Sequence, residues 1–295
     1  MTTQRGFTLI EMAVVLIIVT ILIGGLAMPL SAQIQARRIA ETKKTLEEAR
    51  EAIIGYAMSH PIPSSCTSVY MADTTLDVET ETTTETSTCP VSLCPATSAA
   101  PLTLPITRHF LPCPDLTQSD PEPNRDNDGD GVLSDLNNGR EDRYTVGPNA
   151  GACAATSGHL PWVTLGTGAH DAWGNRLRYA VTTDFASKGA GFSPTDSGNL
   201  QICSASGCAT VNVASDVPAV LISYGPNGWG ARNINANTLA APTSQDELEN
   251  TNGDINFVSR SPSKAGEDSG EFDDLLVWVS DSLIRSRVCP SGGCP

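Results

Sequence analysis

The sequence predicts an α+β fold, in which a long N-terminal helix packs on a C-terminal head built around an antiparallel β-sheet. Three observations support this prediction. Residues 12–33 contain no charged side chain, and residues 31–60 carry apolar side chains at helical spacing. Residues 107–295 contain short β-branched segments separated by Gly, Ser and Asn, which is typical of strands joined by turns.

The charge of the chain changes sign near residue 60. The 295 residues include 18 Lys and Arg against 33 Asp and Glu, a net charge of -15. Residues 1–60 hold 6 basic and 5 acidic residues and residues 61–295 hold 12 and 28, so the second part carries a net charge of -16. Because nucleic-acid binding depends on clustered cations, nucleic acid is not expected as a main partner.

The first half of the predicted helix, residues 7–30, is apolar enough for a membrane span. About 20 helical residues cross a hydrocarbon layer ~30 Å thick. Glu11 lies inside this apolar block, where a carboxylate costs about 2.5–3.5 kcal/mol. We therefore expect Glu11 to have a partner or a task. The alternative is that its side chain reaches the membrane interface.

The residues around Glu11 resemble the signal sequence of type IV pilins and type II secretion pseudopilins. That signal has a short basic leader, Gly before the cleavage point, Phe after it, and Glu five residues into the mature chain. Here the leader is MTTQRG, residues 1–6, and Gly6 and Phe7 flank the cleavage point. The resemblance implies that a prepilin peptidase cuts between Gly6 and Phe7 and methylates the new Phe7 amine.

The same resemblance implies where the protein acts and with what. The precursor would cross the bacterial inner membrane once, with its head in the periplasm, and would contact membrane lipid and the inner-membrane assembly platform. It would then enter a periplasmic or extracellular filament beside other pilin or pseudopilin subunits. The Phe7 amine of a new subunit would pair with Glu11 of a neighbour, because opposite charges attract strongly at low dielectric.

The second half of the helix, residues 31–60, is amphipathic. Ile39, Leu46 and Ile53 recur every seven residues, with Ala49 and Tyr56 between them. The opposite face carries the i,i+4 pairs Arg37/Glu41, Lys43/Glu47 and Lys44/Glu48. A conventional coiled-coil dimer also explains the stripe, but it does not explain Glu11.

Prolines and glycines divide the chain into further parts. Gly24, Gly25 and Pro29 predict a kink or a locally unwound stretch in the apolar half. Pro61 and Pro63 end the helix. Residues 61–106 are rich in Ser, Thr and Pro and cannot bury a core, so we expect a surface loop before the globular head at 107–295.

Nine cysteines favour small disulfide loops in an oxidising compartment. Zinc or redox chemistry is the alternative, but the chain has only four scattered histidines. Three pairs share one spacing: Cys89/Cys94, Cys203/Cys208 and Cys289/Cys294. We expect Cys113–Cys153 as a fourth bridge, which leaves Cys66 as the free thiol.

An acidic segment in the head has the pattern of a calcium loop. Asp126, Asp128 and Asp130 alternate and are followed by Gly131, so three carboxylates could converge on a cation at a sharp turn. Ser134 and Asn137 stand where later ligands of an EF-hand would lie, and Asp135 could close the site in another geometry. The alternative is an acidic turn that binds no ion.

Three further segments resemble those of major type II secretion pseudopilins: Asp171-Ala172-Trp173-Gly174-Asn175 with Tyr179, Ser223-Tyr224-Gly225-Pro226-Asn227-Gly228, and Asp273-Asp274-Leu275 with Trp278. In that family the last two segments frame a calcium loop, which implies a second calcium site at Asp273 and Asp274. This chain departs from the pattern, because Asn227 replaces an Asp and about 44 residues, 229–272, lie between the segments. A polar turn before a strand is the alternative.

Alternation and β-branched content predict six strands, at 162–165, 177–182, 209–213, 219–224, 255–259 and 275–279, with a closing helix at 280–287. Short turns between them favour antiparallel pairing.

The function predicted from these features is that of a structural subunit, and a minor one, of a type IV pilus or a type II secretion pseudopilus. No nucleophile elbow, zinc-binding helix motif or phosphate-binding Gly loop is present, so an enzyme is not expected. An adhesive or ligand-binding tip pilin is the alternative, and a membrane-anchored periplasmic enzyme is a weaker one. The size of the head favours a minor subunit over a shaft subunit.

Overall fold

The computed structural model describes residues 8–64, 106–116, 138–144, 149–193, 195–209 and 211–289. For residues 23–30, 63–64 and 106–107 it describes the backbone but not the side chains. In chain order the elements are α1 Leu9–Ser59, β1 Ile62–Ser64, β2 Ile106–Arg108, β3 Ser157–His159, α2 Trp162–Leu165, β4 Arg178–Val181, α3 Thr183–Ala186, β5 Leu200–Cys203, β6 Ala214–Val217, β7 Ala219–Ser223, α4 Gln245–Glu249, β8 Asn256–Val258, β9 Leu275–Val279 and α5 Asp281–Val288.

Helix α1 contains 51 residues and confirms the long N-terminal helix. It begins at a capping box, in which Thr8 Oγ1 accepts from the Glu11 backbone N–H and the Glu11 carboxylate accepts from the Thr8 backbone N–H. It ends at Ser59, just before Pro61. The helix is continuous through Gly24, Gly25 and Pro29, so the predicted unwinding is not observed. Among the described residues, none of the helices combines the length and the apolar character that a membrane crossing requires.

The C-terminal half of α1 packs on the head through the predicted stripe. Leu46, Ala49 and Ile53 are fully buried and Tyr56 nearly so. They face β7, β9 and α5. Burying a side chain of this size contributes about 1.5–3 kcal/mol, so the stripe fixes the helix to the sheet.

The main sheet has the antiparallel order β3-β4-β7-β9. All five residues of its inner strand β7 are buried. Successive side chains of a strand point to opposite faces. Ala219 and Leu221 accordingly join the core under α1, while Val220 and Ile222 join a second core with β5 and Phe257. The sheet is therefore covered on both faces.

The second sheet has the order β6-β5-β8. Strands β5 and β6 pair antiparallel, as expected, but the expectation fails for β8. Strand β8 runs parallel to β5, with Ile202 opposite Phe257. A parallel pair needs a long crossover connection. The connection here is long enough, because β6, β7, the following loops and α4 separate β5 from β8 along the sequence.

Two of the six predicted strands are wrong in type or place. Residues 162–165 form the short helix α2, which ends at Gly166 with a φ of 65°. Its β-branched composition favoured a strand, but four residues are too few for propensity to outweigh local packing. The strand predicted at 209–213 lies at Ala214–Val217 instead. Strands β4, β7, β8 and β9 and helix α5 lie within one or two residues of their predicted positions.

Two predicted disulfides are present, Cys113–Cys153 and Cys203–Cys208. Cys289 is also disulfide-bonded. Cys66, Cys89, Cys94 and Cys294 lie outside the described residues, so the pairs Cys89/Cys94 and Cys289/Cys294 remain predictions.

Candidate functional site

The N-terminal part of α1 presents apolar side chains on all of its sides. Every Leu, Ile, Val and Met from Leu9 to Leu22 has between 42% and 90% of its surface exposed. Soluble monomers rarely expose a continuous apolar surface of this extent, which marks it as a contact surface for lipid or for other helices.

Glu11 interrupts this apolar surface with a carboxylate. Its Oε2 accepts from the backbone N–H of Thr8 at 2.8 Å and from Thr8 Oγ1 at 2.8 Å. Within the single chain, the charge is thus held by the first turn of its own helix. The predicted cleavage residues Gly6 and Phe7 lie outside the described residues.

The predicted calcium loop also lies outside the described residues, at Asp126, Asp128, Asp130, Ser134, Asp135 and Asn137. A calcium ion at this loop therefore remains a prediction.

The second predicted site contains a cluster of three carboxylates. Glu247 lies on α4, and Asp273 and Asp274 immediately precede β9. One oxygen from each of the three lies within 4.8 Å of the others. Glu247 is only 1% exposed and Asp274 5% exposed, so the cluster is largely shielded from water.

The turn that follows β7 organises this cluster. The backbone N–H of Asn227 donates to Asp273 Oδ2 at 3.1 Å, and its Nδ2 donates to Glu247 Oε1 at 3.0 Å. The backbone N–H of Asp273 donates to the same Glu247 oxygen at 3.2 Å. Gly225 has a φ of 61°, and a Cβ at this position would collide with Asp273. Glycine is therefore required where the turn approaches the cluster.

Asp274 is fixed by an amide from the same inserted segment as Glu247. Asn250 Nδ2 donates to Asp274 Oδ2 at 2.7 Å. The same side chain accepts from the Val258 backbone N–H at 2.8 Å and donates to its carbonyl at 3.1 Å. Asn250 thus links β8 to the start of β9.

The segment at 171–175 supports the turn from the other side. Asp171 Oδ1 accepts from the backbone N–H groups of Trp173 and Asn175, both at 2.9 Å. Its Oδ2 accepts from Ser223 Oγ at 2.7 Å. A buried carboxylate with three donors therefore joins two of the segments that the sequence singled out, and its role is to hold them in place.

Burial raises the pKa of all three carboxyl groups in the cluster. The pKa of Asp273 is raised to about 7, with repulsion from Glu247 and Glu271 adding to the effect of burial. The pKa of Asp274 is raised well above its ordinary value, and that of Glu247 is also raised. Three carboxylates at such short range repel one another, so a positive charge would stabilise the ionised cluster.

Two oxygens of the cluster lack a hydrogen-bond donor. Glu247 Oε2 and Asp273 Oδ1 are buried and have no partner among the described residues. A donor set made only of oxygen atoms suits a hard divalent cation such as Ca²⁺ or Mg²⁺. The residues present therefore fit a cation of this kind.

Sequence reasoning found Asp273 and Asp274 but missed Glu247. No local motif marks Glu247, because it lies within the inserted segment, 26 residues before Asp273. The long insertion itself was the only available signal.

The structure thus combines a long helix that exposes apolar side chains from Leu9 to Leu22, a glutamate in its first turn and a β-rich head packed on its C-terminal half. Residues 1–27 match the family model of the prokaryotic N-terminal methylation motif. This match supports a type IV pilin- or pseudopilin-like prepilin. No curated protein and no solved structure gave a significant match to the chain.

Proposed function

We propose that this protein is a minor structural subunit of a type IV filament, either a type IV pilus or a type II secretion pseudopilus. The observation that carries the proposal is the N-terminal methylation motif at residues 1–27, which includes the exposed apolar start of α1. Processing at Gly6–Phe7 would leave this helix as the membrane anchor of the precursor and later as the packing element of the filament.

The assembly step follows from the environment of Glu11. In the single chain, its carboxylate accepts two hydrogen bonds from Thr8. When a new subunit docks, the positively charged Phe7 amine binds this carboxylate and replaces neutral donors with a charged one. Because the donor then also carries a charge, Coulomb attraction at low dielectric adds to the hydrogen bond, so the exchange favours docking and sets the axial register between neighbours.

The minor role is supported by the size and charge of the head. Residues 61–295 carry a net charge of -16. In a helical filament every subunit repeats the same contacts, so bulky acidic heads repel one another when they are adjacent. Occasional or terminal placement avoids this repulsion.

We further propose that Asp273 and Asp274 hold a structural calcium ion in the head. Binding to the folded state alone would stabilise the head without any catalytic role for the ion. The donor set described above supports this assignment.

The assembly proposal is tested with the variant Glu11→Ala in cells that make the filament. Truncating one partner of a buried charge pair costs about 2–5 kcal/mol, so we expect a more than tenfold loss of the subunit from sheared filaments. Glu41→Ala, which alters an exposed glutamate on the same helix, is the control. Mass spectrometry should find both variants cleaved before Phe7. Normal incorporation of Glu11→Ala would refute the proposed role of the pair.

The same sheared filaments test the minor role. Quantitative mass spectrometry should find this subunit far below the dominant pilin in copy number. Near-equal abundance would show instead that the protein is a shaft subunit.

A further inference from the structure

We propose that Glu247, on the inserted segment 229–272, is a ligand of the same cation as Asp273 and Asp274, and that the ion thereby fastens this segment to the main sheet. The inference rests on the proposed cation site of the head and is independent of filament assembly. The proposed ligand gives the insertion a role. The resemblance to pseudopilins does not explain this segment.

The Glu247 carboxylate is buried beside the two aspartates. Its side chain is 1% exposed, and one of its oxygens lies within 4.8 Å of oxygens from both Asp273 and Asp274. Its Oε2 has no hydrogen-bond partner among the described residues. A buried carboxylate oxygen without a donor costs free energy, and a cation bound at that oxygen removes the cost.

Asn227 places a neutral amide beside the two aspartates. The turn after β7 therefore brings no negative charge of its own to the site. The Asn227 Nδ2 instead donates to Glu247 Oε1 at 3.0 Å. Asn227 therefore orients Glu247 and leaves its second oxygen available, so that the insertion supplies the third carboxylate.

The three carboxylates have no ion-pair partner among the described residues. Arg260 is the nearby cation of the insertion, but its Nε donates to Asp246 at 2.6 Å and its guanidinium stacks 4.6 Å from the centre of the Phe272 ring. Among the described residues, no basic side chain forms an ion pair with Glu247, Asp273 or Asp274. A bound cation would supply the positive charge that the cluster does not receive from an ion pair with the described residues.

The inserted segment contacts the rest of the head through both β8 and α4. Strand β8 pairs with β5 of the second sheet, whereas α4 contacts the turn after β7 through Glu247 and Asn227. A cation between Glu247 and the two aspartates would join α4, this turn and the start of β9 at one point. Without the ion, repulsion among the carboxylates opposes that junction.

The test uses the full chain in detergent, with Asp126, Asp128 and Asp130 changed to Asn to remove the other predicted calcium loop. Isothermal titration with CaCl₂ alone, and with MgCl₂ alone, measures cation binding. Glu247→Gln keeps an oxygen for the two hydrogen bonds at Oε1 but removes the charge, so we expect it to fold and to weaken calcium binding at least about tenfold. Glu249→Gln, on the same helix, is the matched control and should bind as the parent does.

Hydrogen exchange gives a second readout of the same inference. Calcium should slow amide exchange across residues 245–250 in the parent and in Glu249→Gln, but not in Glu247→Gln. Equal affinity of the parent and Glu247→Gln would show that Glu247 is not a ligand. If the parent binds neither cation, both this inference and the proposed calcium site are overturned, while the proposed role in filaments stands or falls on the Glu11 experiment.

Discussion

At the scale of single residues, His159 is an example of a side chain whose protonation is set by its surroundings. Burial, together with the positive charges of Arg232, Arg176 and Arg178, lowers the pKa of His159 to about 3. Asp115 pairs with His159 through the backbone in an antiparallel bridge. The folded chain therefore keeps this histidine neutral over most of the acidic range.

This shift predicts a loss of stability in acid. An unfolded histidine binds a proton below pH 6.5, whereas folded His159 excludes it until about pH 3. Between these values the free energy of unfolding should fall as the pH falls, by up to about 1.4 kcal/mol per pH unit from this group. Urea unfolding of the full chain in detergent at several pH values measures the slope.

The variant His159→Gln should flatten that slope, because it has no proton to exclude. His170→Gln is the control, since the pKa of the more exposed His170 is lowered by a smaller amount. Parallel slopes for the parent and His159→Gln would contradict the prediction.

Residues with strong chemical constraints were predictable from the sequence. Glu11 stood out because a carboxylate in an apolar run is rare. Asp273 and Asp274 stood out because their segment resembles one in major type II secretion pseudopilins. Glu247 and Asn250 did not, because their roles arise only when the insertion folds back on β9. Local patterns cannot report such long-range contacts.

At the scale of elements, the amphipathic half of α1 is the part that joins the helix to the head. Ile53 is fully buried in the core under the main sheet, whereas Ile34 on the same helix is 47% exposed. The helical period of the stripe was sufficient to predict which residues face the sheet. Residues 162–165 gave no such signal, because four residues contain too little of any period.

The difference between these two isoleucines gives a prediction. Ile53→Ala should lower the free energy of unfolding by about 2–5 kcal/mol, because it loses buried apolar surface and leaves a cavity. Ile34→Ala should change it by less than about 0.5 kcal/mol, as is usual for exposed positions. Urea unfolding followed by tryptophan fluorescence measures both. Similar losses for the two variants would show that α1 does not pack on the head in the described register.

At the scale of the whole molecule, the two disulfides whose cysteines both lie in the described residues differ in the length of chain that they close. Cys113–Cys153 joins residues 40 apart, and Cys203–Cys208 joins residues 5 apart. Each restricts the unfolded chain, and the longer loop loses more entropy. The shared cysteine spacing suggested Cys203–Cys208, and Cys113–Cys153 was expected among the cysteines that remained. The crossover of β8 could not be foreseen, because strand order across an insertion depends on the tertiary fold.

Removing each bridge should therefore have different effects. The double variant Cys113→Ala/Cys153→Ala should lose about 4 kcal/mol of unfolding free energy, and Cys203→Ala/Cys208→Ala about 2 kcal/mol, by loop entropy. Denaturant unfolding under non-reducing conditions measures both values. A larger loss for the short loop would contradict this account.

The pairing of β8 with β5 has a consequence for any attempt to shorten this protein. Strand β5 lies in the middle of its sheet only because the insertion contributes β8. Deleting residues 229–272 would expose a row of backbone N–H and C=O groups along β5, and an open edge of this kind recruits strands from other molecules. A trimmed protein would thus tend to aggregate, unless new residues blocked that edge.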